Sequence, residues 1–224
     1  MDLDVEYFGL AENAYKRIKD ALLKHEIAPG ALVSQDELVL RLKIGRTVIG
    51  EALARMAQEG YVNQISRQRY RVSEITAEEV AELFDLRQVL ETYCIEEAIR
   101  RITPDGIDAL ELSVKSTRKA ITTNQPLVNR YLINKDFHLI IAEIAGNSAV
   151  CRVLEDSCEK LLLKRPGEGS RGDFAVLRHH RDIMRAIKNQ ETHHAQDLMK
   201  SHLDEIKYTL LKQIAVRTRE AQAR

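Results

Sequence analysis

Residues 34–62, SQDELVLRLKIGRTVIGEALARMAQEGYV, hold two short helical patterns separated by a tight turn. Ser34 and Glu37 form a capping box, in which each side chain satisfies a backbone N–H at the start of a helix. The turn Lys43-Ile44-Gly45 leads into a second helix, and Gly60 is suited to end it because glycine adopts positive φ without strain. This arrangement is typical of a helix-turn-helix.

The flanking segments extend this motif to a winged helix-turn-helix. Upstream, apolar residues recur at helical spacing in a helix that ends before Pro29-Gly30. Downstream, the spacing of the apolar residues changes from helical to alternating. This predicts two short strands, over 61–65 and 70–72, around a loop at 66–69. We place this domain over residues 1–74.

The chain after Ser73 is predicted to be entirely helical. Thr76 opens a helix with a second capping box, and Thr103-Pro104 supply the cap and first residue of the next. The fold class is therefore mainly α: a winged helix-turn-helix followed, over residues 75–224, by an all-α antiparallel helical bundle. Its helices are predicted from Thr76 toward Arg101, after Pro104, from Pro126 to Gly146, over 148–164, over about 173–188 after a Gly/Pro loop at 166–172, and over 192–219.

The charge of the chain cancels overall but not locally. It has 34 Lys+Arg against 34 Asp+Glu, and zero net charge by itself argues against a polyanionic partner. Residues 41–72, however, hold seven basic against two acidic residues, a net of +5, whereas residues 1–40 hold four against eight, a net of −4. The net positive charge is thus local to the segment that contains the turn, the second helix of the motif and the hairpin.

Several classes of protein are excluded by composition. No apolar run approaches the roughly 18 residues of a membrane-spanning helix, and the first six residues are acidic, unlike a secretory signal. The three cysteines are sparse, and Cys151 and Cys158 lie about 10 Å apart along a helix, too far for a disulfide. We therefore expect a reduced, cytoplasmic protein with no membrane partner.

The residues expected to contact DNA lie where the motif meets a duplex. The second helix of a helix-turn-helix enters the major groove with its first residues nearest the bases. Arg46 can make a bidentate contact to guanine, and Thr47 can reach a base or a phosphate. Arg67 and Arg69 suit phosphates or the minor groove, and Ser34 completes the predicted set. The alternative is a protein-interaction module in which Arg46 is only solvated.

Three helices of the C-terminal half each direct one histidine toward their apolar face. His138, His180 and His202 stand at positions of apolar stripes, and Asn134 precedes His138 by one helical turn. Buried imidazoles are costly unless they share a partner, and a divalent metal is a common one. A metal site at these four residues is therefore predicted.

Other interpretations of the histidines remain. A competing ligand set comprises His179, His193 and His194, of which the last two lie at a helix start and favour solvent. Three histidines with an open position also occur in zinc hydrolases. That alternative needs a general base, and Glu143 is about 500° round the helix from His138 and points away. A metal-free cavity for acyl chains is a third interpretation.

The N-terminal residues resemble the GntR family of bacterial transcriptional regulators. The similarity rests on Ala28-Pro29-Gly30, residues 32–38, Arg46-Thr47, Glu51-Ala52-Leu53 and Glu59-Gly60-Tyr61-Val62. The family usually has Ser or Thr at Gly45, Pro at Val48, Arg at Gly50, and glycines in the wing, where this chain has Arg67-Gln68-Arg69. The missing Arg at position 50 implies a lost DNA contact, for which Arg67 and Arg69 compensate.

Residues 78–215 resemble the FCD effector domain of the FadR-type branch of that family. The matching stretches are 83–87 with Leu90-Glu91, Asn134 with Phe137-His138, 145–147, 180–183, and Met199 with His202. This resemblance implies a metal, zinc or nickel, held by Asn134, His138, His180 and His202, although Asp is the more usual first ligand.

Arg87 is the predicted effector-binding residue. Four uncharged ligands leave the charge of the metal uncompensated, which favours an anionic effector such as a carboxylate. Arg87 lies on the apolar side of its helix, and a guanidinium is suited to a carboxylate. The alternative is an ion pair with Glu91. We therefore expect a metabolite-responsive regulator, a repressor by resemblance, that binds pseudo-palindromic operator DNA as a homodimer and responds to a small organic acid.

Overall fold

A computed structural model of the protein describes residues 2–164 and 173–222. Its contacts divide the chain into two compact units, one from the N-terminus through Glu74 and the other beginning at Ile75. The predicted Gly/Pro loop at 166–172 lies outside the described residues.

The first unit combines three helices with a small sheet. The helices and strands are α1 (Asp2–Leu23), β1 (Leu32–Ser34), α2 (Gln35–Leu42), α3 (Arg46–Gln58), β2 (Val62–Ser66) and β3 (Arg69–Val72). The sheet is antiparallel in the order β1-β3-β2. This is the predicted winged helix-turn-helix, with one strand more than expected, because the three residues of β1 are too few to show a period.

The turn between α2 and α3 follows from local backbone preferences. The Ser34 hydroxyl accepts a hydrogen bond from the Glu37 N–H at 3.1 Å and starts α2. Lys43 adopts the left-handed conformation at φ 56°, and its N–H bonds to the Val39 carbonyl, which ends α2. Gly60, at φ 80°, follows the end of α3, as the sequence predicted.

The first unit has its own apolar core. The alternation along β3 buries Tyr70 and Val72 and exposes Arg69 and Arg71. The largest side chains buried with them come from all three helices and from the segment after α3: Ile18, Leu22, Leu38, Ile49, Leu53, Met56 and Tyr61. The helix-turn-helix is therefore held by packing against the sheet and α1.

The second unit is a bundle of helices, as predicted. In the described residues these are α4 (Ala77–Arg101), α5 (Pro104–Thr122), α6 (Leu127–Ala145), α7 (Ser148–Lys164), α8 (Asp173–Lys188) and α9 (Thr192–Gln222). Thr76 and Thr103 cap α4 and α5 through their hydroxyls, and Gly146, at φ 75°, ends α6.

Five helices of the bundle pack against one another. α4 packs against α6 and α9, α5 packs against α6 and α8, and α8 packs against α9.

Cys94, Cys151 and Cys158 are free thiols. None of the helices in the described ranges is long and apolar enough to cross a membrane.

Two leucines of α2 give a matched test of this fold. Leu38 is 2 % exposed and Leu40 is 79 % exposed. We expect Leu38→Ala to destabilise the first unit by about 2–5 kcal/mol, because a buried cavity is created. Leu40→Ala should change stability by less than about 0.5 kcal/mol. Urea unfolding followed by circular dichroism measures both, and equal effects would contradict the burial assigned to Leu38.

Candidate functional site

Three helices bring the predicted histidines together in the interior of the bundle. His138 of α6, His180 of α8 and His202 of α9 are 1 %, 0 % and 0 % exposed. Among the described residues these three form the group of potential ligands whose nitrogens all lie within 4.8 Å of one another. Each histidine occupies a core position of its helix, which is why residues distant in sequence converge here.

The nitrogens that meet are the Nε2 atoms. His202 Nε2 lies 3.2 Å from His180 Nε2 and 3.3 Å from His138 Nε2. A neutral imidazole has only one N–H, so a ring whose N–H is at Nδ1 has a lone pair at Nε2. Lone pairs that face one another in this way need a shared proton or cation. Because the Nδ1 atom of His138 faces a carboxylate, its proton belongs on Nδ1, and its Nε2 is a lone pair directed at the cluster.

The surroundings keep these imidazoles neutral. Burial lowers the pKa of His138, and the nearby Arg87 charge lowers it further, against the opposing effect of Glu91. Burial, and then the neighbouring histidines, lower the pKa of His180 and His202 well below the usual value. Neutral imidazoles are the form that binds metals.

A buried ion pair orients the first of the three histidines. The Arg87 Nε–H donates to Glu91 Oε1 at 2.7 Å, and His138 Nδ1 lies 2.5 Å from Glu91 Oε2. Burial raises the pKa of Glu91, but the charge of Arg87 and the hydrogen bonds from Arg87 and His138 outweigh this effect and hold the pKa at about 2. A carboxylate behind a ligating histidine is a common way to set its tautomer and ring orientation.

The ion-pair alternative for Arg87 is therefore present in the structure. It does not use the whole guanidinium, because Arg87 Nη2 is buried and has no hydrogen-bond partner in the described part of the chain. A buried unpaired donor is costly, and Arg87 Nη2 is therefore able to donate a hydrogen bond to a further polar group.

Asn134 also has an unused buried atom. Its Oδ1 has no partner within the described ranges, and it lies one turn of α6 before His138. Phe137, between them, stacks on the His180 ring with centroids 3.9 Å apart and an angle of 13°. The phenyl ring excludes water from one face of His180 and fixes its plane.

The competing histidines lie elsewhere. His193 and His194 are exposed at the start of α9. His179 is half-buried, and its Nδ1 lies 3.4 Å from Nδ1 of His202, on the side away from the other two imidazoles. Glu143 is exposed on α6, so it offers no general base to the buried histidines.

The residues predicted to contact DNA surround the start of α3. Arg46 and Thr47 are exposed in its first turn, and Arg67 and Arg69 are exposed at the hairpin. Ser34 is half-buried, with its hydroxyl oxygen accepting from the α2 backbone, and the O–H donor and a second acceptor lone pair of the hydroxyl remain.

Two α2 residues hold Arg46, and sequence reasoning missed both. The Arg46 guanidinium pairs with the Asp36 carboxylate, and Gln35 Nε2 donates to the Arg46 carbonyl at 2.7 Å. A Cβ at Gly50 would lie 2.7 Å from Gln35 Nε2. The glycine in place of the family's Arg therefore leaves room for the Gln35 amide, a link that only the fold reveals.

A winged helix-turn-helix followed by a helical bundle is the architecture of a DNA-binding regulatory protein, and comparisons with known proteins agree. Residues 10–72 match the family of bacterial regulatory proteins named gntR, and residues 82–205 match the FCD domain. The chain belongs to the GntR family of transcriptional regulators and carries an FCD domain. It is a transcription regulator and not an enzyme.

Relatives cover most of the chain at low identity. The HTH-type transcriptional repressor RspR of Escherichia coli (strain K12) is 25 % identical over 201 residues, 87 % of this chain and 86 % of RspR. The regulator YdhC of Bacillus subtilis (strain 168) is 22 % identical over 192 residues, 85 % of this chain and 86 % of YdhC. The repressor NanR of Escherichia coli (strain K12 / DH10B) is 24 % identical over 226 residues, 89 % of this chain and 84 % of NanR.

Solved structures share the fold. Escherichia coli McbR/YncC superposes with a TM-score of 0.76 at 18 % identity, covering 91 % of this chain and 98 % of that one. A GntR transcriptional regulator from Rhodococcus sp. RHA1 gives a TM-score of 0.77 at 17 % identity, covering 90 % and 97 %.

The Asp36–Arg46 pair predicts an effect on DNA binding. Because the carboxylate competes with DNA for Arg46 and repels phosphates, Asp36→Ala should raise affinity for random-sequence DNA by up to about fivefold, the scale of an exposed ion pair. Fluorescence anisotropy at low salt measures it. Asp20→Ala, which removes an exposed partner of Lys24 on α1, is the control. Unchanged affinity in Asp36→Ala would show that the pair does not restrain Arg46.

Proposed function

We propose that this regulator is a repressor that binds pseudo-palindromic operator DNA as a homodimer and releases it in response to a small organic acid held beside a divalent metal. The observation that carries the sensing part is the meeting of three neutral imidazoles through Nε2 inside an apolar bundle. A regulator of this kind acts where the bacterial chromosome lies, in the cytoplasm.

The donor set fits a divalent metal, with zinc or nickel as the ions that the family resemblance implies. His138, His180 and His202 would hold it through nitrogen, and Asn134 would add its unpaired Oδ1. A bound metal would act as a Lewis acid toward an anionic ligand.

Charge balance supports an anionic effector. Asn134 contributes no charge, and the −1 of Glu91 is cancelled by the +1 of Arg87 in their buried pair. The +2 of a divalent ion would therefore remain uncompensated in a low-dielectric interior, and a carboxylate lowers that cost. The unpaired Nη2 of Arg87 supplies a second, charge-assisted hydrogen bond for such a ligand.

Exposed apolar residues on α4 support dimerisation. Leu86, Val89 and Tyr93 are 39 %, 69 % and 40 % exposed, and their spacing places them on one helical face. α4 also carries Arg87 and Glu91 on its buried side, so a dimer interface on this helix would border the sensing site directly. Effector binding can then change DNA affinity if it favours one arrangement of the two subunits.

Repression is supported by two relatives, RspR and NanR, whose names describe them as transcriptional repressors. The exposed Arg46, Thr47, Arg67 and Arg69 provide the DNA contacts of the proposal. Arg46 would read a base, whereas the two hairpin arginines would bind backbone phosphates.

Selection of DNA from a random pool, followed by gel shift, tests the DNA part. We expect a pseudo-palindromic site bound by two chains. Arg46→Ala should lose about 1–3 kcal/mol of discrimination, whereas Arg67→Ala should weaken binding to all sequences and reduce the salt slope by about one. Absence of any binding at low salt would refute the DNA role.

Calorimetric titration of the metal-loaded protein with small organic acids tests the sensing part. Removal of the metal with a chelator should abolish acid binding. Arg87→Lys keeps a positive charge beside Glu91 but lacks the planar fork, so acid affinity should fall at least about tenfold, the scale of a charge-assisted hydrogen bond.

The same titrations contain the controls. Metal affinity should stay nearly unchanged in Arg87→Lys, since the proposed ligands are intact. The double variant Arg87→Ala, His180→Ala should bind neither ligand well. Undiminished acid binding in that variant would overturn the proposed effector site.

A further inference from the structure

His202 has a second imidazole behind it. Its Nε2 faces His138 and His180, and its Nδ1 lies 3.4 Å from Nδ1 of His179. The two rings are perpendicular, with centroids 5.5 Å apart. His179 and His180 are neighbours on α8, and adjacent helical side chains point about 100° apart, so one faces the cluster while the other reaches the outer side of His202.

His179 in turn contacts a carboxylate near the surface. Its Nε2 lies 3.5 Å from Glu205 Oε2, and the side chains of His179 and Glu205 are 16 % and 52 % exposed. Glu205 follows His202 by three residues on α9, which places both on one side of that helix. A series of contacts, from His202 to His179 to Glu205, therefore connects the buried cluster to the solvent.

Proton positions along this arrangement are mutually consistent. A carboxylate only accepts, so the ring nitrogen of His179 that faces Glu205 carries the N–H, and Nδ1 is then the acceptor. His202 must therefore carry its proton on Nδ1 and donate it to His179. The Nε2 of His202 is left as a lone pair directed at the other histidines, which is the tautomer a metal requires.

We propose that His179, supported by Glu205, is a positioning residue that holds His202 in its metal-binding tautomer and orientation. The proposal rests on the metal site proposed above. His179 would accept the Nδ1–H of His202, as Glu91 accepts that of His138. The difference is that Glu91 is a buried carboxylate, whereas His179 is an imidazole that reaches the surface. His179 itself is not a ligand, because the nitrogen nearest the cluster is directed at the outer nitrogen of His202.

Loss of this support has a defined consequence. Without an acceptor at Nδ1, the proton of His202 can move to Nε2, where it would point at His138 and His180 and block the lone pair. Outer partners of ligating histidines typically change metal affinity by about 10–100-fold. We expect a loss of that size in His179→Ala.

The experiment is a metal titration of the full chain, with Zn²⁺ competed against a chromophoric chelator and with Co²⁺ followed by its ligand-field spectrum. His179→Ala should bind both ions about 10–100-fold more weakly but show the same Co²⁺ band positions, because the ligand set is unchanged. His179→Gln should recover most of the affinity, since an amide oxygen can accept the His202 Nδ1–H.

Controls separate this inference from the metal site itself. His194→Ala, an exposed histidine two residues into α9, should bind like the unaltered protein. If the unaltered protein binds no metal, the proposed site fails. If it binds metal and His179→Ala binds equally well, the site stands and His179 has no positioning role. Altered Co²⁺ bands in His179→Ala, without rescue by glutamine, would make His179 a ligand and overturn the proposal.

Discussion

The approach of three uncharged imidazoles in an apolar interior is the constraint on which the helical bundle of this protein depends. His138, His180 and His202 are almost completely buried, and Nε2 of His202 lies 3.2 Å from that of His180 and 3.3 Å from that of His138. Core positions of three helices are given to polar side chains at a cost in solvation. A shared cation would satisfy the three Nε2 atoms at once, because each of these lone pairs would then have a partner.

The groups behind the histidines differ, and this asymmetry shapes the site. His138 is backed by the buried Glu91, which is itself neutralised by Arg87. His202 is backed by His179 at the edge of the bundle, and the Nδ1 atom of His180 has no partner among the residues the structure describes. The centre therefore has no net negative charge of its own, so the charge of the proposed metal would be left for an anionic ligand to balance.

In the DNA-binding half, as at the buried Arg87–Glu91 pair, an arginine charge is cancelled by a neighbouring carboxylate, but here the pair lies at the surface. Zero net charge over the whole chain conceals a basic segment at residues 41–72. Within it, Arg46 is paired with Asp36 and its carbonyl is held by Gln35. Such pairing would reduce non-specific attraction to DNA, since the arginine would have to exchange one anionic partner for another before it contacted a phosphate or a base.

The sequence by itself determined the order of the helices and strands, the family, and which histidines point inward, because helical period, capping residues and punctuating Gly and Pro act over a few residues. The short strand β1, too brief to show a period, was missed. Only the tertiary structure decided that Arg87 pairs with Glu91, that Glu91 and His179 support separate histidines, and that Gln35 occupies the space above Gly50. Most of these contacts join residues on different helices. The exception is the Arg87–Glu91 pair, one helical turn apart, and there the sequence allowed either Glu91 or an effector carboxylate as the partner of Arg87. Their distances depend on how helices pack, which no local pattern specifies.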